Sequence, residues 1–209
     1  MPGDSRPKRH LRAVGRLASL SDEDLMCLHR DGDVAAFDLL VHRYRRGLHR
    51  YLTRMTRDPE RAEELLADVF LKIHRAAPRY EPTAKFSTYV YTVAYRAALN
   101  ANARAHQRKE LRAGGSAELE THQTPTLAPS ADPERSLRVK RDFTRLQAEL
   151  DDLPASHSSV FLLYYLQGMS CAEIAVTTGI SAEEAKGRLA YARKLLRGRL
   201  TAEKREHLR

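Results

Sequence analysis

The sequence contains no tryptophan, only two cysteines, and few glycines and prolines, which are clustered. Cys27 and Cys171 stand far apart and show no C-x-x-C spacing. They exclude a disulfide framework and fit a reducing compartment. The scarcity of Gly and Pro gives little support to an all-β fold. A Gly-rich phosphate loop, a G-x-S-x-G elbow and an H-E-x-x-H pair are all missing. His42 and His49 are seven apart, with no Cys or acid placed to complete a metal site. Glu63 and Glu64, adjacent on a helix, point apart and do not make an acid/base pair. The expectation is a chain with no catalytic residues, no metal and no cofactor. Apolar runs fall short of the ~20 residues that span a bilayer, and the first twenty residues lack the apolar stretch of a secretory signal. A soluble, cytoplasmic chain without membrane insertion is expected.

What is present is charge and helical periodicity. The net charge is +9 and the pI about 9.8, which suits a polyanionic partner, nucleic acid or an acidic membrane surface, or simply solubility. Hydrophobic residues reach 42%, enough for a core. Residues 1–20 read as a basic, flexible tail. Ser21 caps a short helix with an acidic first turn, ended by Asp31-Gly32. From Asp33, Ala36, Phe37, Leu40, Val41, Tyr44, Leu48, Tyr51, Leu52 and Met55 form one apolar stripe. Pro59 opens a third helix with Ala62, Leu65, Leu66, Val69, Phe70 and Ile73 inward. A fourth, tyrosine-rich helix runs from Lys85 or Phe86 to about Arg112. Residues 113–135 have the composition of a flexible linker. Helical pattern then resumes over 136–205, in one helix up to Asp152, one around Val160–Leu166, a short one around Cys171–Thr177, and a last one from Ser181.

Gly168 to Leu189 has the form of a helix-turn-helix. Ile174 and Ala175 give the first helix an apolar inner face. Gly179 stands where the turn needs a left-handed residue, and Ile180 fills the angle between the helices. Ser181 caps the second helix, with Glu184 completing a capping box. Lys186, Arg188, Arg193, Lys194 and Arg197 make that helix basic, as a major-groove reader requires.

At this point a family resemblance becomes specific. Asp152-Leu153-Pro154, Val160-Phe161-Leu162-Leu163, Gly168-Met169-Ser170, Glu173-Ile174-Ala175, Gly179-Ile180-Ser181, Lys186, Arg188 and Ala192-Arg193 resemble region 4 of the extracytoplasmic-function RNA polymerase sigma factors. Gly32-Asp33, Ala36-Phe37, Tyr44, Asp58-Pro59-Glu60, Ala62-Glu63-Glu64-Leu65, Asp68-Val69-Phe70-Leu71, Phe86-Ser87-Thr88-Tyr89 and Ala94 resemble region 2 of the same family. The resemblance implies an all-α fold of two helical domains, a region 2 bundle over 21–112 and a region 4 helix-turn-helix over 136–205. It implies an alternative sigma factor that binds core RNA polymerase and directs promoter recognition, melting and initiation. Promoter DNA is then a partner, as is an anti-sigma factor in many family members.

The resemblance also implies site residues. Ser181, Glu183, Lys186, Arg188, Tyr191 and Arg193 would read the minus-35 duplex. Lys85, Ser87, Thr88, Tyr89, Tyr91, Thr92, Tyr95, Arg96, Asn100 and Arg104 would hold the melted minus-10 strand. Rings that stack on unpaired bases contribute ~1–3 kcal/mol each, although an aromatic stripe at helical spacing is usually core, and at least half of Phe86, Tyr89, Tyr91 and Tyr95 should face inward. Glu63, Glu64, Leu65, Asp68 and Lys72 would dock on the polymerase. The chain departs from the family at Ala67, His74, Tyr89, Tyr95, Arg96 and Asn100, and at Ala185, Gly187 and Tyr191. The alternative reading is a stand-alone helix-turn-helix regulator, or a sigma-like protein without melting activity.

Overall fold

The structure, a computed structural model, describes residues 17–112, 150 and 153–206, with side chains as far as Arg108 in the first part and Gly198 in the second. The tail up to Arg16, the linker and the helix expected before Asp152 lie outside the described residues, except Leu150, which is helical. Seven α-helices fill the described residues: α1 Asp22–Arg30, α2 Val34–Thr56, α3 Pro59–Ala76, α4 Phe86–Arg112, α5 Ala155–Gln167, α6 Cys171–Thr178 and α7 Ala182–Glu206. A short 3-10 turn, Ala77–Arg79, follows α3. Within this set, none is long and apolar enough to cross a membrane.

The helix starts follow from local chemistry. Ser21, Asp33 and Asp58 each accept a backbone N–H of the first turn they precede, satisfying donors that have no partner inside the helix. Pro59 occupies the first position of α3, where a missing N–H costs nothing. The N-terminus of α4 is capped from a distance. Glu23 Oε1 accepts the Phe86 N–H at 2.6 Å, setting a carboxylate against the positive end of the helix dipole.

Residues 17–20, expected within the tail, are part of the described fold. Leu17 is buried, and Arg43 donates to the Ala18 and Leu20 carbonyls at 2.7 and 3.1 Å. Leu17 supplies an apolar side chain to the core.

Helices α1 to α4 form a bundle around Leu25, Leu40, Leu52, Val69, Ile73 and Phe86. Helices α5 to α7 pack around Leu163, Ile174, Leu189 and Leu196. The two halves are also docked on each other, α4 against α6 and α2 against α5, and their buried residues form one cluster. The reason lies in α4, whose Val90, Tyr91, Ala94, Tyr95, Ala97, Ala98 and Ala101 are all buried. A helix apolar around so much of its circumference must be covered on more than one side.

Candidate nucleic-acid interface

The helix-turn-helix is built as its sequence implies. Gly179 ends α6 at φ +72°, in the left-handed region that side chains other than Gly rarely adopt. Ile174 is fully buried and Ile180 packs against the core between the helices. Ser181 Oγ accepts the Glu184 N–H at 3.0 Å. The Glu184 carboxylate, expected to return to the cap, instead takes Arg188 at 2.5 Å. The reciprocal capping box sits one helix earlier, where Ser170 Oγ accepts the Glu173 N–H and the Glu173 carboxylate accepts the Ser170 N–H.

On α7, Ala185, Leu189, Ala192 and Leu196 face inward. Ser181, Glu183, Lys186 and Tyr191 stand exposed. Lys186 pairs with Glu183 at 2.6 Å. Arg193 donates to the Tyr165 hydroxyl at 2.8 Å and lies over the Tyr164 ring. Tyr191 packs beside His157, whose pKa burial lowers from its usual value. The acids Glu183 and Glu184 thus hold Lys186 and Arg188 within the helix. A phosphate or base edge that approaches either cation meets a carboxylate beside it.

On α4 the expected residues divide by burial. Arg96, Asn100 and Arg104 follow one another at four-residue steps, all exposed, so a strand backbone could run along them. Ser87 and Thr92 are half-buried, and the Thr92 hydroxyl donates to the Thr88 carbonyl. Tyr91 and Tyr95 are corrections. Tyr91 is fully buried, edge-on to Tyr51 at 5.3 Å, and Tyr95 is also buried. Neither offers a face to a base in this arrangement. With Phe86 also buried, three of the four aromatics of this stretch are core. Tyr95 lies four positions beyond Tyr91 and three before Ala98, all buried, which puts the three on one inner stripe.

Tyr89 differs. It is half-buried and lines a cavity of about 450 Å³ with Tyr80, Thr88 and Thr92. Thr88, expected to touch DNA directly, is 5% exposed, and its Oγ1 has no partner among the described residues. The same holds for the hydroxyl of Tyr80, 8% exposed. Burial pushes the Tyr80 pKa up to about 12, so the phenol remains a donor. Two buried, unpartnered hydroxyls are costly unless something polar enters beside them. The sequence gives no signal for Tyr80, because Pro78 and Pro82 mark its stretch as a plain loop. Lys85 is exposed but already engaged, its Nζ 2.8 Å from Glu173 Oε1.

The third surface is the outer face of α3. Ala62, Leu66, Val69 and Ile73 are buried, while Glu64, Ala67, Asp68 and Lys72 are exposed. Glu63 is exposed but paired with Arg45 at 3.2 Å and His49 at 3.4 Å. Leu65 is half-buried against the core, so it offers an edge rather than a face. Leu71, 43% exposed beside Asp68 and Lys72, joins this surface without having been expected there. Its signal in the sequence is an apolar residue left outside an already complete stripe. The described residues hold no group of three or more His, Cys, Asp or Glu able to bind a metal.

Residues 40–109 match the family model for Sigma-70 region 2, and residues 143–196 that for Sigma-70, region 4. The chain is 31% identical over 173 residues to the ECF RNA polymerase sigma factor SigM of Mycobacterium tuberculosis, a match covering 83% of this chain and 81% of that one. It is 34% identical over 152 residues to the RNA polymerase sigma factor CarQ of Myxococcus xanthus, covering 73% and 82%. Among solved structures, CnrH in complex with the cytosolic domain of CnrY has a similar fold, with a TM-score of 0.60 at 18% identity over 87% of this chain and 97% of that one. So does the sigma factor RpoE, in complex with the anti-sigma factor NepR from Bartonella quintana, with a TM-score of 0.64 at 18% identity over 80% and 98%.

Proposed function

The chain belongs to the extracytoplasmic-function family of RNA polymerase sigma factors, and from that premise we propose how its surfaces divide the work of initiation. It is an alternative sigma factor, a subunit that gives core polymerase its promoters. Family membership displaces the stand-alone regulator, which would need neither a region 2 nor a polymerase-docking face. The family implies a binding role and not a catalytic one, exercised in the cytoplasm where polymerase acts.

In this reading the outer face of α3 docks on the polymerase through Glu64, Asp68 and Leu71, with Lys72 at its edge. An acidic face around one exposed apolar side chain suits a basic partner helix. Helix α7 enters the minus-35 major groove with Lys186 and Arg188, Glu183 and Glu184 beside them. An unpaired base of the minus-10 strand enters the cavity under Tyr89, while Arg96 and Arg104 hold the strand beyond it. The base brings ring nitrogens and exocyclic groups to the Tyr80 and Thr88 hydroxyls, and Tyr89 offers a ring face. The cavity with its two unpartnered hydroxyls is the observation that carries this reading. By likeness to the relatives solved with CnrY and NepR, an anti-sigma factor is a further partner.

The test is transcription. Purified protein is mixed with core polymerase and a genomic DNA library, and new start sites are mapped. Specific new starts that vanish with Tyr89→Ala, while the variant still binds polymerase, support the reading. Specific DNA binding without polymerase association would overturn it.

A further inference from the structure

His157, in the first turn of α5, reaches across to the recognition helix. Its ring lies 4.9 Å from that of Tyr191, centroid to centroid, at an interplanar angle of 54°. Tyr191 is 48% exposed. Arg188, three residues earlier on α7, shares a helix face with Tyr191 and stands near enough to act on the charge of His157. Ala185, Leu189 and Ala192 are buried on the other side of α7, which packs directly on α5. A DNA backbone that crosses α7 at Arg188 and Tyr191 therefore also passes the start of α5.

Without DNA the site favours a neutral imidazole. Burial is the larger cause and the Arg188 guanidinium adds to it, so the His157 pKa lies below its usual 6.5. Helices α2 and α6 also pack on α5, and among the described residues no charge on either acts on this histidine. On α5 itself, the Ser156 hydroxyl lies 3.3 Å from Nδ1. On α7, Glu184 is paired with Arg188 at 2.5 Å. A phosphate brought to Arg188 changes the balance, because an anion close by favours imidazolium over imidazole. The Tyr191 ring works in the same direction, since an aromatic face attracts a cation set against it.

We propose that His157 is a further promoter contact, forming with Arg188 and Tyr191 one cluster that holds a backbone phosphate at the flank of the minus-35 groove. As the phosphate arrives, His157 takes a proton from solvent; when the DNA leaves, the proton returns there. The ligand is a phosphodiester and not a base edge, so the cluster adds affinity and a pH dependence without changing which sequence is read. This rests on the reading above that α7 enters the minus-35 duplex.

The test uses holoenzyme and a fluorescein-labelled duplex carrying a promoter mapped as above, with affinity read by anisotropy. As pH falls from about 8 to about 6, wild-type affinity should gain roughly two- to fivefold over that of His157→Gln, the range open to a modest rise of one histidine pKa on binding. The other histidines titrate alike in both proteins, so the difference belongs to position 157. The slope of log affinity against log salt should steepen at the lower pH by up to about one in wild type, and by less in His157→Gln. His157→Lys, charged throughout this range, should bind at the higher pH as tightly as wild type at the lower. If His157→Lys loses its helical circular dichroism, His157→Gln alone decides. Parallel pH and salt profiles for wild type and His157→Gln, even with a constant offset, would make His157 a packing residue and overturn the inference. If Lys186→Ala with Arg188→Ala still weakens the complex, that outcome leaves the functional reading standing. Duplex binding indifferent to Lys186→Ala with Arg188→Ala overturns the reading of α7, and the inference with it.

Discussion

His29 Nε2 and His74 Nδ1 lie 3.0 Å apart, joining α1 to the last turn of α3, with the His29 ring stacked on Phe37 at 4.4 Å. Only one of the two nitrogens can carry the proton of that bond, so the pair is held together by a neutral imidazole. Burial lowers the His29 pKa below its usual 6.5, and His74 lowers it further, against the opposing pull of Asp33 and Asp38. The unfolded chain therefore takes up protons at a higher pH than the folded one. Stability from this site is full above the unfolded pKa and is lost as pH falls through the lowered folded value. Urea midpoints should drop between neutral pH and about pH 5. His29→Phe, which keeps the stack on Phe37, should flatten that drop. An unchanged slope would assign the acid sensitivity to other groups.

The polymerase-docking reading separates two neighbouring acids. Glu63 is already engaged by Arg45 and His49, while Glu64 and Asp68 are exposed. Reversing either Glu64 or Asp68 alone to Lys should weaken association with core polymerase roughly several-fold, mainly by slowing the encounter, with the loss shrinking at high salt. Glu63→Lys should lose less in the same surface-plasmon measurement. Equal losses at all three positions would mean that net charge, not this face, governs docking.

Much of this architecture is legible in the sequence because its devices are local. The caps at Ser21, Asp33 and Asp58, Pro59 at the start of α3 and Gly179 in the turn each act within a few residues. The apolar stripes of α2 and α3 show one face and one period. Helix α4 resists such reading. Its aromatic and small residues occupy several sides of the helix, and a sequence does not say which of them meets α6. The expectation that Tyr91 and Tyr95 face DNA fails for that reason. The Lys85–Glu173 and Tyr51–Ser159 contacts join residues 88 and 108 positions apart, where no periodicity reaches. The Ser170–Glu173 capping box is local and legible, yet the same spacing recurs at Ser181 and Glu184, and spacing alone does not say which carboxylate returns to its cap.

The recognition helix makes a prediction with two opposite signs. Lys186→Ala with Arg188→Ala should weaken binding of holoenzyme to a selected promoter duplex by roughly tenfold or more. The slope of log affinity against log salt should fall by about one for each phosphate that the helix no longer neutralises. Glu183→Gln, which frees Lys186 from its partner at 2.6 Å, should strengthen binding to unrelated duplex and steepen the slope. A Glu183→Gln variant that instead loses affinity only for the selected promoter would make Glu183 a reader of a base, accepting from a cytosine amino group.

Gly47, in the middle of α2, carries a cost in helix propensity of about 0.8–1.0 kcal/mol relative to Ala. Its compensation is a close approach. A methyl group there would stand 2.8 Å from the Tyr91 hydroxyl and 3.5 Å from the Gln167 amide. Tyr91 is fully buried and has no room to retreat, so overpacking of about 1–3 kcal/mol should outweigh the propensity gain. Gly47→Ala should therefore destabilise in urea unfolding. Combined with Tyr91→Phe, which removes the opposing oxygen, the same change should become neutral or stabilising. Additive effects in the double variant would show that the two sites do not touch.

Tyr89 and Tyr91 stand two positions apart on α4, and their burial assigns them opposite phenotypes. Tyr91 is fully enclosed against Tyr51, so Tyr91→Ala should cost about 3–5 kcal/mol of stability, the range for truncating a buried aromatic. Any loss of transcription should then be recovered at lower temperature, where the fold survives. Tyr89 is half-buried at the cavity, beside Tyr80 at a ring separation of 5.9 Å. Tyr89→Ala should move the unfolding midpoint much less and should leave closed-complex formation intact. Open-complex formation, read by permanganate reactivity of unpaired thymines, should fall by roughly five- to hundredfold, as loss of one stacked base implies. Cooling should not restore it. If Tyr89→Ala lost stability and opening in proportion, and regained both when cold, Tyr89 would be packing alone, and the cavity would no longer be the place where the strand is held.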